Sequence, residues 1–110
     1  MVEPLTIRAV VFEDQGWWVA QCLEYDLCTA TRNRDDLPRQ FLSQVQLQII
    51  ADLSRSREPF QDLPQAPQKF WDLYSSVGMP IEMKWKESLF HRLARFWRRV
   101  PRLQAEVAFA

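Results

Sequence analysis

The stretch from Leu5 to Thr31, LTIRAVVFEDQGWWVAQCLEYDLCTAT, sets what the rest of the chain can build. Three runs rich in β-branched and aromatic residues are separated by Glu13–Gly16 and Glu24–Asp26. Runs bounded by turn formers in this way read as adjacent antiparallel strands. In the first run Leu5, Ile7, Ala9 and Val11 alternate with Thr6, Arg8, Val10 and Phe12. Strand side chains point to opposite faces in turn, so the odd set is the candidate core. Pairing Phe12 with Trp17 across Glu13–Gly16 sets Val11 opposite Trp18, Ala9 opposite Ala20 and Ile7 opposite Cys22, all on one face. Gly16 suits the backbone that such a loop demands. Leu27–Thr31 continues as a third strand, with Leu27, Thr29 and Thr31 alternating against Cys28, Ala30 and Arg32. The Glu24–Asp26 turn leaves its register open.

The other face carries Val10 and Phe12 beside Trp17 and Val19. A single helix covers one face of a three-stranded sheet, and this second face does not have the polar composition of a solvated one. Its cover is a second subunit, a partner, or the chain's own C-terminal part. Val10, Phe12, Trp17 and Val19 are therefore the candidate partner or dimer surface.

A helix follows from about Asp36 to Ser54. Asp35 or Asp36 supplies an N-cap and Pro38 fits the first turn. Leu37, Phe41, Leu42, Val45, Ile49 and Leu53 recur at helical spacing and form one stripe, which packs across the odd face of the first strand. Leu47 and Ile50 lie off that stripe and hint at a contact on the outer side of the helix. The expected fold class is α+β: a three-stranded antiparallel meander, with room for a fourth edge strand, packed on one long helix, with additional C-terminal helices. The chain divides into a β-β-β-α core over residues 1–58, a Pro-rich arm and short helix over 59–80, and an edge strand with a basic amphipathic helix over 81–110, within a single domain.

The segment LTIRAVVFEDQGWWVAQCLEYDLCTATRNRDDLPRQFLSQVQ resembles the HicB-like antitoxin fold of bacterial and archaeal toxin–antitoxin systems. The resemblance covers roughly half the chain, Leu5 to about Arg57. It lies in an opening strand that runs into an acidic-Gly turn, a second strand with an aromatic followed by V-A-x-C, a short third strand and a helix opened by acids. Glu24-Tyr25-Asp26 stands where a Pro-Gly loop is usual. No C-terminal ribbon-helix-helix or helix-turn-helix domain is recognisable. The resemblance implies a non-enzymatic, stand-alone protein-interaction module, antitoxin-type or an orphan relative, with a small basic RNA-cleaving toxin as the antitoxin-type partner; the two-sided apolar sheet adds the expectation of a homodimer. Acid-rich turns suit a basic surface.

Residues 57–68, REPFQDLPQAPQ, hold three prolines, which forbid a continuous helix or a central strand. Phe60 and Leu63 are expected to pin this arm to the core. Pro64–Pro67 matches P-x-x-P, a motif common by chance. A short helix is expected from about Gln68 to Val77, with Phe70, Trp71 and Tyr74 as apolar contacts and Gly78 at its C-terminal stop. Ile81, Met83 and Trp85 alternate with Glu82 and Lys84 as an edge strand, unless the segment is coil.

Formal net charge is zero, yet between Lys84 and Arg102 lie seven basic residues and one acid, Glu87. A final helix from Ser88 to about Val100 would gather Leu89, Phe90, Leu93, Phe96, Trp97 and Val100 on one side. Arg92, Arg95, Arg98, Arg99 and Arg102 would lie on another. That helix either docks by its apolar side, or binds phosphates of RNA or DNA through the arginine forks, or lies on an anionic membrane surface.

No catalytic constellation is visible. One His (His91, on the polar arc), two Gly and no phosphate-binding loop argue against nucleotide chemistry. Glu24 and Asp26 read as a solvated turn. Cys22 and Cys28 lack the spacing of a zinc site and read as buried, reduced small hydrophobes. No metal or cofactor is expected. The N-terminus shows no signal peptide, and no apolar run nears the ~18 residues of a membrane span. A cytoplasmic location is the resulting expectation.

Overall fold

A computed structural model describes residues 5–77, 81–83 and 103–110. The fold is α+β. Its strands are β1 (Leu5–Asp14), β2 (Trp17–Cys22), β3 (Cys28–Thr31), β4 (Ile81–Met83) and β5 (Leu103–Phe109). Helices α1 (Leu37–Ser54) and α2 (Gln68–Ser76) follow the meander. Among the described residues one mixed sheet forms, in the order β3-β2-β1-β5-β4.

The meander is as expected in its connections, but its first register differs by two residues. Asp14 pairs with Trp17, Phe12 with Val19 and Val11 with Ala20. The loop is the pair Gln15-Gly16, both with positive φ (51° and 83°), the backbone of a tight primed hairpin turn. A shift of two keeps every side chain on its face, so the core assignment survives the error. Trp18 pairs with Thr31 and Ala20 with Thr29 across β2 and β3.

The C-terminal strand is the main departure from the sequence reading. LQAEVAF forms β5, which lies parallel to β1 with Leu5 beside Leu103 and Val11 beside Phe109. β4 is an edge strand, as expected, but it pairs antiparallel with β5 rather than with the meander. Ala105 and Val107 therefore join the core beside Ile7, Ala9 and Val11. The expected helix over Ser88–Val100 and its arginines, Gly78 and His91 lie outside the described residues.

Helix α1 covers this face through Leu37, Phe41, Val45 and Ile49, each no more than 2% exposed. Its opening differs in detail. Asn33, not an aspartate, caps the single 3-10 turn Arg34–Asp36 by accepting the Asp35 amide at 3.0 Å. Asp36 makes no capping bond to α1 and instead accepts from Arg39 at 3.3 Å.

The Pro-rich arm docks as expected. Phe60 is 1% exposed and stacks on Tyr25 with ring centroids 4.4 Å apart. Main-chain bonds extend the attachment: Asp26 N donates to Pro64 O at 2.7 Å and Ala66 N to Leu23 O at 2.9 Å. Arg57 pairs with Asp62 along the arm. No helix among the described residues is long and apolar enough to cross a membrane.

Candidate interaction surface

The second face of the sheet is built from the even residues of β1 and their neighbours. Period-two alternation brings Arg8, Val10 and Phe12 to it, with Trp17, Val19 and Gln21 from β2 and Cys28 and Ala30 from β3. Part of it is covered by the chain itself. Phe70 of α2 stacks on Phe12 at 5.8 Å, and Trp71 and Tyr74 lie against the Arg8 guanidinium at 4.8 and 5.9 Å. Of the alternatives for that cover, the C-terminal part of the chain supplies this portion.

A polar network ties the covering helix down. Glu24 accepts the Arg8 amide through Oε1 at 2.7 Å and the Arg8 side chain through Oε2 at 2.6 Å. The same carboxylate keeps the guanidinium above its ordinary pKa. Tyr74 donates its hydroxyl to Glu106 on β5 at 3.4 Å. Burial first, and then the Glu106 charge, push the Tyr74 phenol up. Glu24 is thus not a solvated turn residue but the acceptor that orients Arg8 beneath two aromatic rings. Gln21, only 4% exposed, donates to Asp26 at 2.8 Å and to the Cys22 carbonyl at 3.0 Å. These bonds satisfy the side-chain donor group of a buried Gln21 on this face.

The four residues named from the sequence separate into two pairs. Val10 is fully buried within the chain and Phe12 half-buried under Phe70. Toward the hairpin Val19 is half-buried, and Trp17 is 40% exposed with the Arg32 guanidinium over its ring at 4.4 Å. Ala30, directly opposite Val19, and Cys28 are exposed. Trp17, Val19, Ala30 and Cys28 thus form an apolar strip that ends on β3, an edge strand of the sheet. Asp14, paired with Trp17, stands exposed beside it. Ala30, Cys28 and Arg32 were not singled out by pattern alone, because their exposure depends on the β2–β3 register. On the outer side of α1, Leu47 is 65% exposed.

The two cysteines differ. Cys22 is fully buried, and desolvation pushes its thiol up to about 11. Cys28 is exposed, which corrects the expectation of burial for both. Among the described residues no group of three or more His, Cys, Asp or Glu is placed to hold a metal ion.

Comparison with protein-family models, with curated proteins and with solved structures finds no match.

Proposed function

We propose that this protein is a non-enzymatic interaction module of HicB-like type, a homodimer that holds a protein partner in the cytoplasm in the manner of an antitoxin. The observation that carries this reading is the strip Trp17, Val19, Ala30 and Cys28, which α2 leaves open and which runs to the edge of β3. A large aromatic ring exposed beside small apolar neighbours and an unpaired strand edge is the composition of a docking surface. Asp14, paired with Trp17 and exposed next to it, favours a basic partner, such as a small toxin. The β-β-β-α order of Leu5–Ser54 is the part of the chain on which the resemblance rests. Light scattering on the wild type and on Trp17→Glu tests the dimer. A dimer that becomes a folded monomer on substitution supports the reading, and a monomeric wild type sinks it.

A second reading rests on the charge asymmetry. Between Lys84 and Arg102 the sequence holds seven basic residues and one acid. Arg92, Arg95, Arg98, Arg99 and Arg102, close together in the sequence, would suit phosphates of a nucleic acid or an anionic membrane surface. Nucleic-acid binding of this kind weakens steeply with salt as counterions are released. Gel shifts over a salt series and flotation with anionic vesicles separate these two from the dimer module and from each other.

A further inference from the structure

We infer that the core face of the sheet holds a binding site for a small apolar monocarboxylate, with Arg34 as its anion-recognising group. A cavity of about 190 Å³ lies between the sheet and the start of α1. Ala9 and Ala20 form its floor, Phe41 and Val107 its walls, and Arg34 and Phe109 its mouth. The space arises from the sequence. Ala9 and Ala20 sit on adjacent strands two residues out of register, so two methyl side chains adjoin where larger ones would meet α1. Apolar cavities near 150 Å³ stay dry and accept a benzene ring. This one has room for a ring with a short alkyl link, and filling it would restore dispersion contacts that the walls otherwise lack.

The mouth supplies the polar half of the recognition. The Arg34 guanidinium lies over the Trp18 ring at 5.2 Å and over the Phe109 ring at 5.0 Å. Contact of a cation with aromatic rings does not consume its hydrogen-bond donors, so the guanidinium N–H groups can still take an anion. Arg34 is exposed and forms no ion pair with any described residue. A carboxylate on a ligand whose body fills the cavity would take that fork in a bidentate pair. Asp35 and Asp36 follow directly in the chain, and their charge favours a monoanion over a dianionic phosphate. The site is on the opposite side of the sheet from Trp17 and does not depend on the interaction surface.

Titration of the full chain with 3-phenylpropionate, and separately with the uncharged 3-phenyl-1-propanol, tests the inference by NMR shifts of the Trp18 and Phe109 rings. Saturable binding of the acid is expected, with the alcohol weaker by about tenfold or more. Arg34→Met should erase that difference while leaving the fold intact, since its side chain is exposed. Ala20→Leu should fill the cavity and abolish binding of both compounds. If Ala20→Leu does not fold, Val107→Phe reads the same quantity. No saturable shift up to about 10 mM overturns the inference. So do equal affinities for acid and alcohol, or unchanged binding in a folded cavity-filled variant.

Discussion

Asp52 fixes the position of Phe60. Its Oδ2 accepts the Phe60 amide at 2.8 Å from the last turn of α1, while Oδ1 accepts from Gln48 at 3.2 Å. Asp52 is 7% exposed and Phe60 holds a positive φ of 64°, a conformation non-glycine residues seldom adopt. The carboxylate and the buried ring together hold that backbone where it is. Asp52→Ala leaves a buried amide without its acceptor and should cost about 1–3 kcal/mol in urea unfolding. Asp52→Asn should cost less, because its side-chain oxygen can still accept.

Phe60→Ala removes a fully buried ring and its stacking on Tyr25. The expected loss is about 3–5 kcal/mol, of the size seen for large-to-small changes in a core. It should exceed the loss from Leu63→Ala, whose side chain is only half-buried. Thermal and urea unfolding of the two variants side by side check the order.

The hairpin offers a stabilising change. Gln15 has φ 51° ahead of Gly16 at 83°. Asparagine tolerates the left-handed region better than glutamine and is the preferred first residue of this turn. Gln15→Asn should therefore raise stability by about 0.5 kcal/mol, while Gly16→Ala should lower it by about 1 kcal/mol or more. An unchanged melting temperature in both would contradict the turn geometry.

The buried thiol gives a pH signature. The Cys22 pKa in the folded chain is about 11, above the ordinary 9.0. Between these values the unfolded chain has lost the thiol proton and the folded chain keeps it. Stability thus falls as pH rises from about 9 to about 11, and the contribution is fully present below that window. The fall should be shallower in Cys22→Ala, which has no thiol to ionise. Alkylation under native conditions should label Cys28 long before Cys22, as mass spectrometry of timed samples would show.

Much of the architecture was legible because its signals are local. The meander follows from three apolar runs and two turns, and α1 from a stripe at helical spacing. The hairpin register was missed because Glu13–Gly16 reads as a four-residue loop, and a glutamine carries no sign of a left-handed backbone. β5 does alternate, at Leu103, Ala105, Val107 and Phe109, but its partner is at the other end of the chain and no turn announces a parallel pairing. The role of Glu24 depends on Arg8, sixteen positions earlier, which no spacing rule connects to it. The openness of Trp17 and the cover over Phe12 are likewise consequences of where α2 lands. The cavity has no sequence signal at all, since it results from two alanines meeting diagonally across strands.

The parallel placement of β5 between β1 and β4 also bears on how the protein is made. While the chain emerges from the ribosome, the meander and α1 are complete well before residues 103–109 exist. Until then β1 has one row of amide and carbonyl groups without the β5 neighbour, and the growing polypeptide is open to sticking to others like it. Closure then joins Leu5 to Leu103, a contact between residues far apart in sequence, and such pairings form slowly.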